Sequence, residues 1–139
     1  MKNFASQNDL DDKRISFEEI GKNLFAFTAE GDPNSGIIVG DDSVIVIDAQ
    51  ATPSLARQVI QKVRSVTDKP ISHLVLSHYH AVRVLGAAEY KEANIIMSSK
   101  ARSMVVERGQ EDWDSEFDRF PRLFKGHEEI SGLTWPSKP

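Results

Sequence analysis

Residues 44–76 read VIVIDAQATPSLARQVIQKVRSVTDKPISHLVL, and the hydrophobic period changes twice within them. Val44 to Ile47 form an unbroken apolar run, short enough for a buried strand. Thr52 then offers a hydroxyl at a helix N-cap and Pro53 suits the first helical position. Leu55, Val59, Val63 and Val66 recur at i, i+4, i+8 and i+11, the stripe of a helix packing on a sheet. The helix should end near Asp68-Lys69-Pro70, because proline cannot continue it. SHLVLS follows as a second buried strand. Strand, helix, strand is a βαβ unit, so Val44–Ile47 and Leu74–Leu76 should be parallel neighbours joined by a right-handed crossover.

Working outward, the upstream texture is one of short strands and turns. ISFEEIG ends in a glycine, NLFAFTA places Leu24 and Ala26 on one face and Phe25 and Phe27 on the other, and EGDPNSG is turn chemistry. GIIVG and SVIVIDA are joined by Gly40-Asp41-Asp42, a tight hairpin. Together these predict an antiparallel meander leading into the βαβ unit, an α/β chain. Downstream, Val84 to Tyr90 predicts a short helix and NIIMS a further strand. Ser99 is expected to cap a helix that turns Ala101, Met104 and Val105 inward and ends at Gly109. Trp113, Phe117 and Phe120 sit at i, i+4 and i+7 before Pro121, which reads as ordinary helical packing more readily than as a substrate entrance. Residues 1–14, with only Phe4 and Leu10 as large apolar groups, read as a flexible arm. Residues 15–125 read as the domain and 126–139 as an irregular tail.

Composition removes several function classes. At 139 residues with 40% hydrophobic and 27% charged side chains, one folded core is expected. Seventeen basic against 21 acidic residues give a net charge of −4 with no basic stripe, so nucleic acid is not an expected partner. Cysteine is absent, which excludes disulfides, thiolate metal sites and cysteine nucleophiles. The polar start lacks a signal-peptide core and no apolar run reaches membrane-spanning length, so no membrane partner is expected and the cytoplasm is the expected location. Ser77 and Ser98 lack a recognisable base and orienting acid, which argues against a serine hydrolase.

The chemistry gathers where topology would place it. In an open α/β sheet, ligands bind beyond the carboxyl ends of the parallel strands. Asp48 closes one such strand, and His78 and His80 follow the other, in LSHYHAVRVLG at residues 76–86. In an extended loop the two histidines project to the same side with Tyr79 opposite, so both could bind one metal ion. A His-x-His pair alone is also an ordinary surface feature; its place after a buried strand beside an acid is what gives it weight.

HLVLSHYHAVRVLGA resembles the signature of the metallo-β-lactamase fold superfamily, a loop of the form H-x-H-x-D-H after a buried strand, and IIVGDDSVIVIDAQ resembles the hairpin and acidic strand end upstream of it. The resemblance spans roughly residues 15 to 108. It implies the N-terminal half of an αββα sandwich built of two similar halves, in a protein whose loops bind zinc or a similar divalent ion and activate water for hydrolysis. His78 and His80 then match the first two metal ligands. Asp48 matches the acidic residue at the end of the preceding strand and joins the catalytic set.

Two departures qualify what the resemblance implies. Val82 stands where the family has an aspartate for a second metal, and Arg83 where it has a histidine. Valine has no lone pair, and a guanidinium has five donors and no acceptor. One ion at most is therefore expected, held in part by His78 and His80, acting on a small-molecule substrate. Arg83 itself is a candidate to grip an anionic substrate, since a guanidinium holds carboxylates bidentately. The family's later ligands come from a second half that should begin near Pro139. His127 lacks their context, and His73 reads as a surface or hydrogen-bonded residue. The alternative is a non-catalytic relative or a fragment acting as a binding or assembly module, in which Arg83 replaces the metal's charge and pairs with Asp48. A half-sandwich would also expose a sheet face, which a homo-oligomer could cover.

Overall fold

The computed structural model describes residues 14–29 and 33–119. Its centre is a six-stranded mixed sheet in sequence order: β1 (Ile15–Gly21), β2 (Leu24–Ala29), β3 (Ser35–Val39), β4 (Val44–Ile47), β5 (Ile71–Val75) and β6 (Asn94–Ile96). The first four strands pair antiparallel; β4–β5 and β5–β6 pair parallel. This is the meander followed by βαβ units that the hydrophobic pattern predicts. Val46 lies opposite Leu74 and Ile47 opposite Val75, which fixes the ends of β4 and β5 side by side.

Alternation along the strands sorts the two faces. Phe27, Ile37, Val44, Val46 and Leu74 are buried on one face, where Phe17 and Phe25 also stack with ring centroids 5.2 Å apart. That face receives α1 (Pro53–Val66), with Thr52 Oγ1 accepting the Leu55 N–H as its cap. The buried positions of α1 are Pro53, Ala56, Val59 and Val63, not the full expected stripe. Leu55 is only half-buried and Val66 is exposed, because the helix turns its small residue, Ala56, toward the close neighbour Gly86. The opposite face leaves Leu24, Ile38 and Ile96 exposed.

Beyond β5 the chain forms α2 (Ala81–Val84), a 3-10 turn over Leu85–Glu89, and α3 (Ser99–Arg119). Three expectations change here. The short helix expected over Val84 to Tyr90 starts earlier, as α2, and continues only as the 3-10 turn. Ser98, one residue earlier than expected, caps α3 by accepting the Ala101 N–H at 3.1 Å. Gly109 does not end that helix, which runs on to Arg119. Ala101 and Val105 are buried as expected, with Met104 half-buried. Phe120, His127 and the tail from residue 126 lie outside the described residues. No helix among the described residues is long and apolar enough to cross a membrane.

Candidate functional site

The parallel pairing of β4 and β5 delivers Asp48 and the histidine loop to one end of the sheet. Asp48 N donates to Val75 O at 2.8 Å, so the acid begins where β4 leaves the ladder. Asp48 and Gln50 both adopt left-handed backbone, with φ of 64° and 70°. For non-glycine residues this conformation is sparsely populated, and it persists only when the surroundings hold it. They do so on several sides. Ser35 Oγ donates to Asp48 O at 2.8 Å, and the buried Gln50 side chain donates to Ser35 Oγ at 2.8 Å and to Pro33 O at 3.0 Å. Ala49 N donates to Arg83 O and Gly86 N to Gln50 O, stitching the loop after β4 to the loop after β5. Gly86 is required for this approach: a Cβ there would lie 2.0 Å from Ala49 O and 2.9 Å from the Ala56 Cβ.

So held, the Asp48 carboxylate is buried and turned toward the histidine loop. Its Oδ1 accepts the Ser77 N–H at 2.8 Å, and its Oδ2 accepts the Ser77 hydroxyl at 2.8 Å and Arg83 Nη1 at 3.1 Å. Three donors for two oxygens make Asp48 an anchor of the loop, with no oxygen left undirected. Arg83 is the charge partner of Asp48; its side chain is 29% exposed against 7% for the acid. Ser77 sits between acid and imidazole, its Oγ also 2.8 Å from His78 Nδ1. Sequence reading missed Ser77 as a connector, because a contact across 29 residues is set by strand pairing and leaves no local signal.

His78 and His80 come together as the loop spacing implied, with ring centroids 4.6 Å apart and planes at 75°. Tyr79 packs toward the core and meets the His80 ring edge-on. Loss of solvation holds the His78 imidazole below its ordinary range, helped by the neighbouring His80 and Arg83 and opposed by Asp48. His78 is therefore biased toward the neutral form that a metal or a proton needs. Among the described residues no third His, Asp or Glu completes a metal-binding group with them. His73 lies elsewhere on β5, its Nδ1 2.8 Å from Ser72 Oγ, a hydrogen-bonded residue as expected.

The mixed sheet thus presents an acid and a His-x-His loop together at the ends of its parallel strands. The model of the metallo-beta-lactamase superfamily matches residues 28–133, and the chain belongs to that family. It is 24% identical over 94 residues to a metallo-beta-lactamase type 2 from Bacillus cereus, covering 63% of this chain and 37% of that protein. Solved structures share the fold. The metallo-beta-lactamase FIM-1 from Pseudomonas aeruginosa, in its mono-zinc form, superposes with a TM-score of 0.62 at 18% identity, over 73% of this chain and 50% of that one. A metallo-beta-lactamase from Hirschia baltica gives 0.61 at 17% identity, over 68% and 48%. The inverting sec-alkylsulfatase Pisa1 from a Pseudomonas species also gives 0.61 at 22% identity, over 70% of this chain and 17% of that one. The chain thus spans about half the length of the two lactamase structures.

Proposed function

We propose that this chain is a hydrolase-like member of its superfamily in which His78 and His80 hold one divalent ion, zinc or similar, in part. The observation that carries this reading is the approach of the two imidazoles at the end of β5, with His78 joined through Ser77 to the buried Asp48. The donor set fits such an ion incompletely. Two neutral imidazoles supply two nitrogen donors, whereas a catalytic zinc takes three protein ligands and keeps one position for water. Val82 and Arg83 supply none. When bound, the ion would supply an activated water for attack on a small-molecule substrate. The protein's own part is to fix the loop: Asp48 ties down Ser77 and Arg83, and Arg83 stands close enough to His78 to favour its neutral form and to face an anionic substrate. Metal analysis of chelator-free protein tests the reading. Between about a tenth and one equivalent of zinc, lost in His78→Ala and His80→Ala, is expected; under roughly a tenth of an equivalent at micromolar protein rejects it, since functional sites bind far tighter.

The Arg83–Asp48 pair favours a second reading. There the guanidinium itself supplies the positive charge at the acid, and the chain works as a binding or assembly module without catalysis. Stability separates the two. In the module, removing Arg83 is costly in the absence of metal; in the hydrolase, added zinc raises the melting temperature by mass action on the folded state.

A further inference from the structure

We infer that Ser77 sets the tautomer of His78, placing the ring proton on Nδ1 and the lone pair on Nε2. Ser77 is a positioning residue, and through it Asp48 decides which nitrogen His78 offers to a ligand. The inference deepens the metal reading above, for which it names the donor atom, but it concerns the metal-free chain.

The argument counts protons. Ser77 Oγ has one, and it has two neighbours at 2.8 Å: Asp48 Oδ2 and His78 Nδ1. Asp48 is ion-paired with Arg83 at 3.1 Å, and a carboxylate so paired can only accept. If the Ser77 proton pointed at His78, two oxygens would face each other at 2.8 Å with nothing between them. The proton therefore lies on the Asp48 side. The hydrogen bond between Ser77 Oγ and His78 Nδ1 then needs its proton from the imidazole, so Nδ1 is the donor and the neutral ring keeps its lone pair on Nε2. The backbone adds to this: Ser77 N–H donates to Asp48 Oδ1 at 2.8 Å, which keeps the exposed Ser77 beside the acid. A neutral histidine side chain in water prefers the opposite tautomer, with the proton on Nε2. The network inverts that preference, and the same arrangement rules out Ser77 as a nucleophile, since its proton goes to an acid already neutralised by Arg83 and its imidazole neighbour donates to it.

The test is the long-range proton–nitrogen correlation spectrum of metal-free, nitrogen-15-labelled protein at a pH where His78 is neutral. In the unmodified chain the His78 Nδ1 should show the shift of a protonated ring nitrogen and Nε2 that of an unprotonated one. Ser77→Ala should move His78 to mainly Nε2–H, and Ser77→Thr, which keeps the hydroxyl, should restore the original pattern. An Nε2–H signal in the unmodified chain overturns the inference, and that measurement needs no variant to fold. So does a Ser77→Ala spectrum, in a folded variant, indistinguishable from the unmodified one. A parallel zinc titration keeps the two ideas apart. Should zinc bind, Ser77→Ala is expected to weaken it about 10- to 100-fold, as loss of the group behind a ligating histidine does. Absence of zinc binding with the expected tautomer rejects the metal reading and leaves this inference standing.

Discussion

Asp48 is the residue on which the site turns, and its surroundings give two expectations at this scale. Because its partner Arg83 is part-exposed, the pair should be worth less than a buried ion pair: a double-mutant cycle with Asp48→Asn and Arg83→Met should return a coupling of about 1–2 kcal/mol by urea unfolding. Arg83→Met alone leaving stability unchanged would remove the charge-replacement reading. His78 gives the second. Its folded state resists protonation, so its resonance should titrate with a midpoint below the ordinary 6.5. The sign of the linked stability follows. As pH falls below 6.5 the unfolded chain takes up this proton before the folded one does, so stability drops across that window and His78→Ala should flatten the drop. Tyr90 is a contrasting case. Its hydroxyl is buried and has no hydrogen-bond partner among the described residues, so Tyr90→Phe should leave stability unchanged or raise it by up to about 1 kcal/mol.

At the scale of elements, what the sequence disclosed follows from how local the cause is. The βαβ unit was legible because its signals lie within single segments: the Thr52 cap, Pro53, the switch from apolar runs to a helical stripe. The helix face was less so, since Ala56 is buried in Leu55's stead by the approach of Gly86, a residue of another segment. Gly109 misled for the reverse reason, as a helix-ending residue carried through by a continuous α3. The left-handed backbone at Asp48 and Gln50 had little signal, because neither is glycine, aspartate's tolerance of that region is weak evidence, and the bonds that hold it come from Ser35, Arg83 and Gly86. His78 and His80 could be placed from strand order, but Ser77 could not. The Asp48–Gln50 loop and the loop after β5 should therefore fail together. Gly86→Ala drives a methyl into Ala49 O and is expected to cost about 2–3 kcal/mol. It should also release the Asp48 carboxylate, so that the His78 tautomer pattern blurs in the same variant; a stable Gly86→Ala with an unchanged spectrum would separate the two loops.

For the molecule as a whole, the sheet face away from α1 carries the exposed apolar side chains Leu24, Ile38 and Ile96. Strand register puts Leu24 beside Ile38 and Ile38 beside Ile45 in one row. Ile47, Val75 and Ile96 follow in the next. Neighbouring strands lie about 4.8 Å apart, so within each row these side chains stand side by side, the first row running on to His73 and Asn94 and the second back to Gly36 and Ala26. Scattered apolar residues on a surface are ordinary, but two apolar rows of three strands each, meeting on β4, are the kind of patch that marks association. The face opposite it already buries Phe27, Ile37, Val46 and Leu74 against helix, so the patch is the side of the sheet left for another layer. We propose a second copy as that layer, since apolar rows can be complementary to themselves about a two-fold axis without a matched charge. Light scattering at micromolar concentration should then give a mass above that of one chain, and Ile38→Lys with Ile96→Lys should return it to one chain with the circular dichroism spectrum unchanged. Lysine at these two positions places one ammonium in the middle of the first row and one at the β6 end of the second, where a second copy could not desolvate it without a partner. A single-chain mass for the unmodified protein would reject the second copy as the covering layer while leaving Asp48, Ser77 and His78, on the far end of β4 and β5, to be judged by their own spectra.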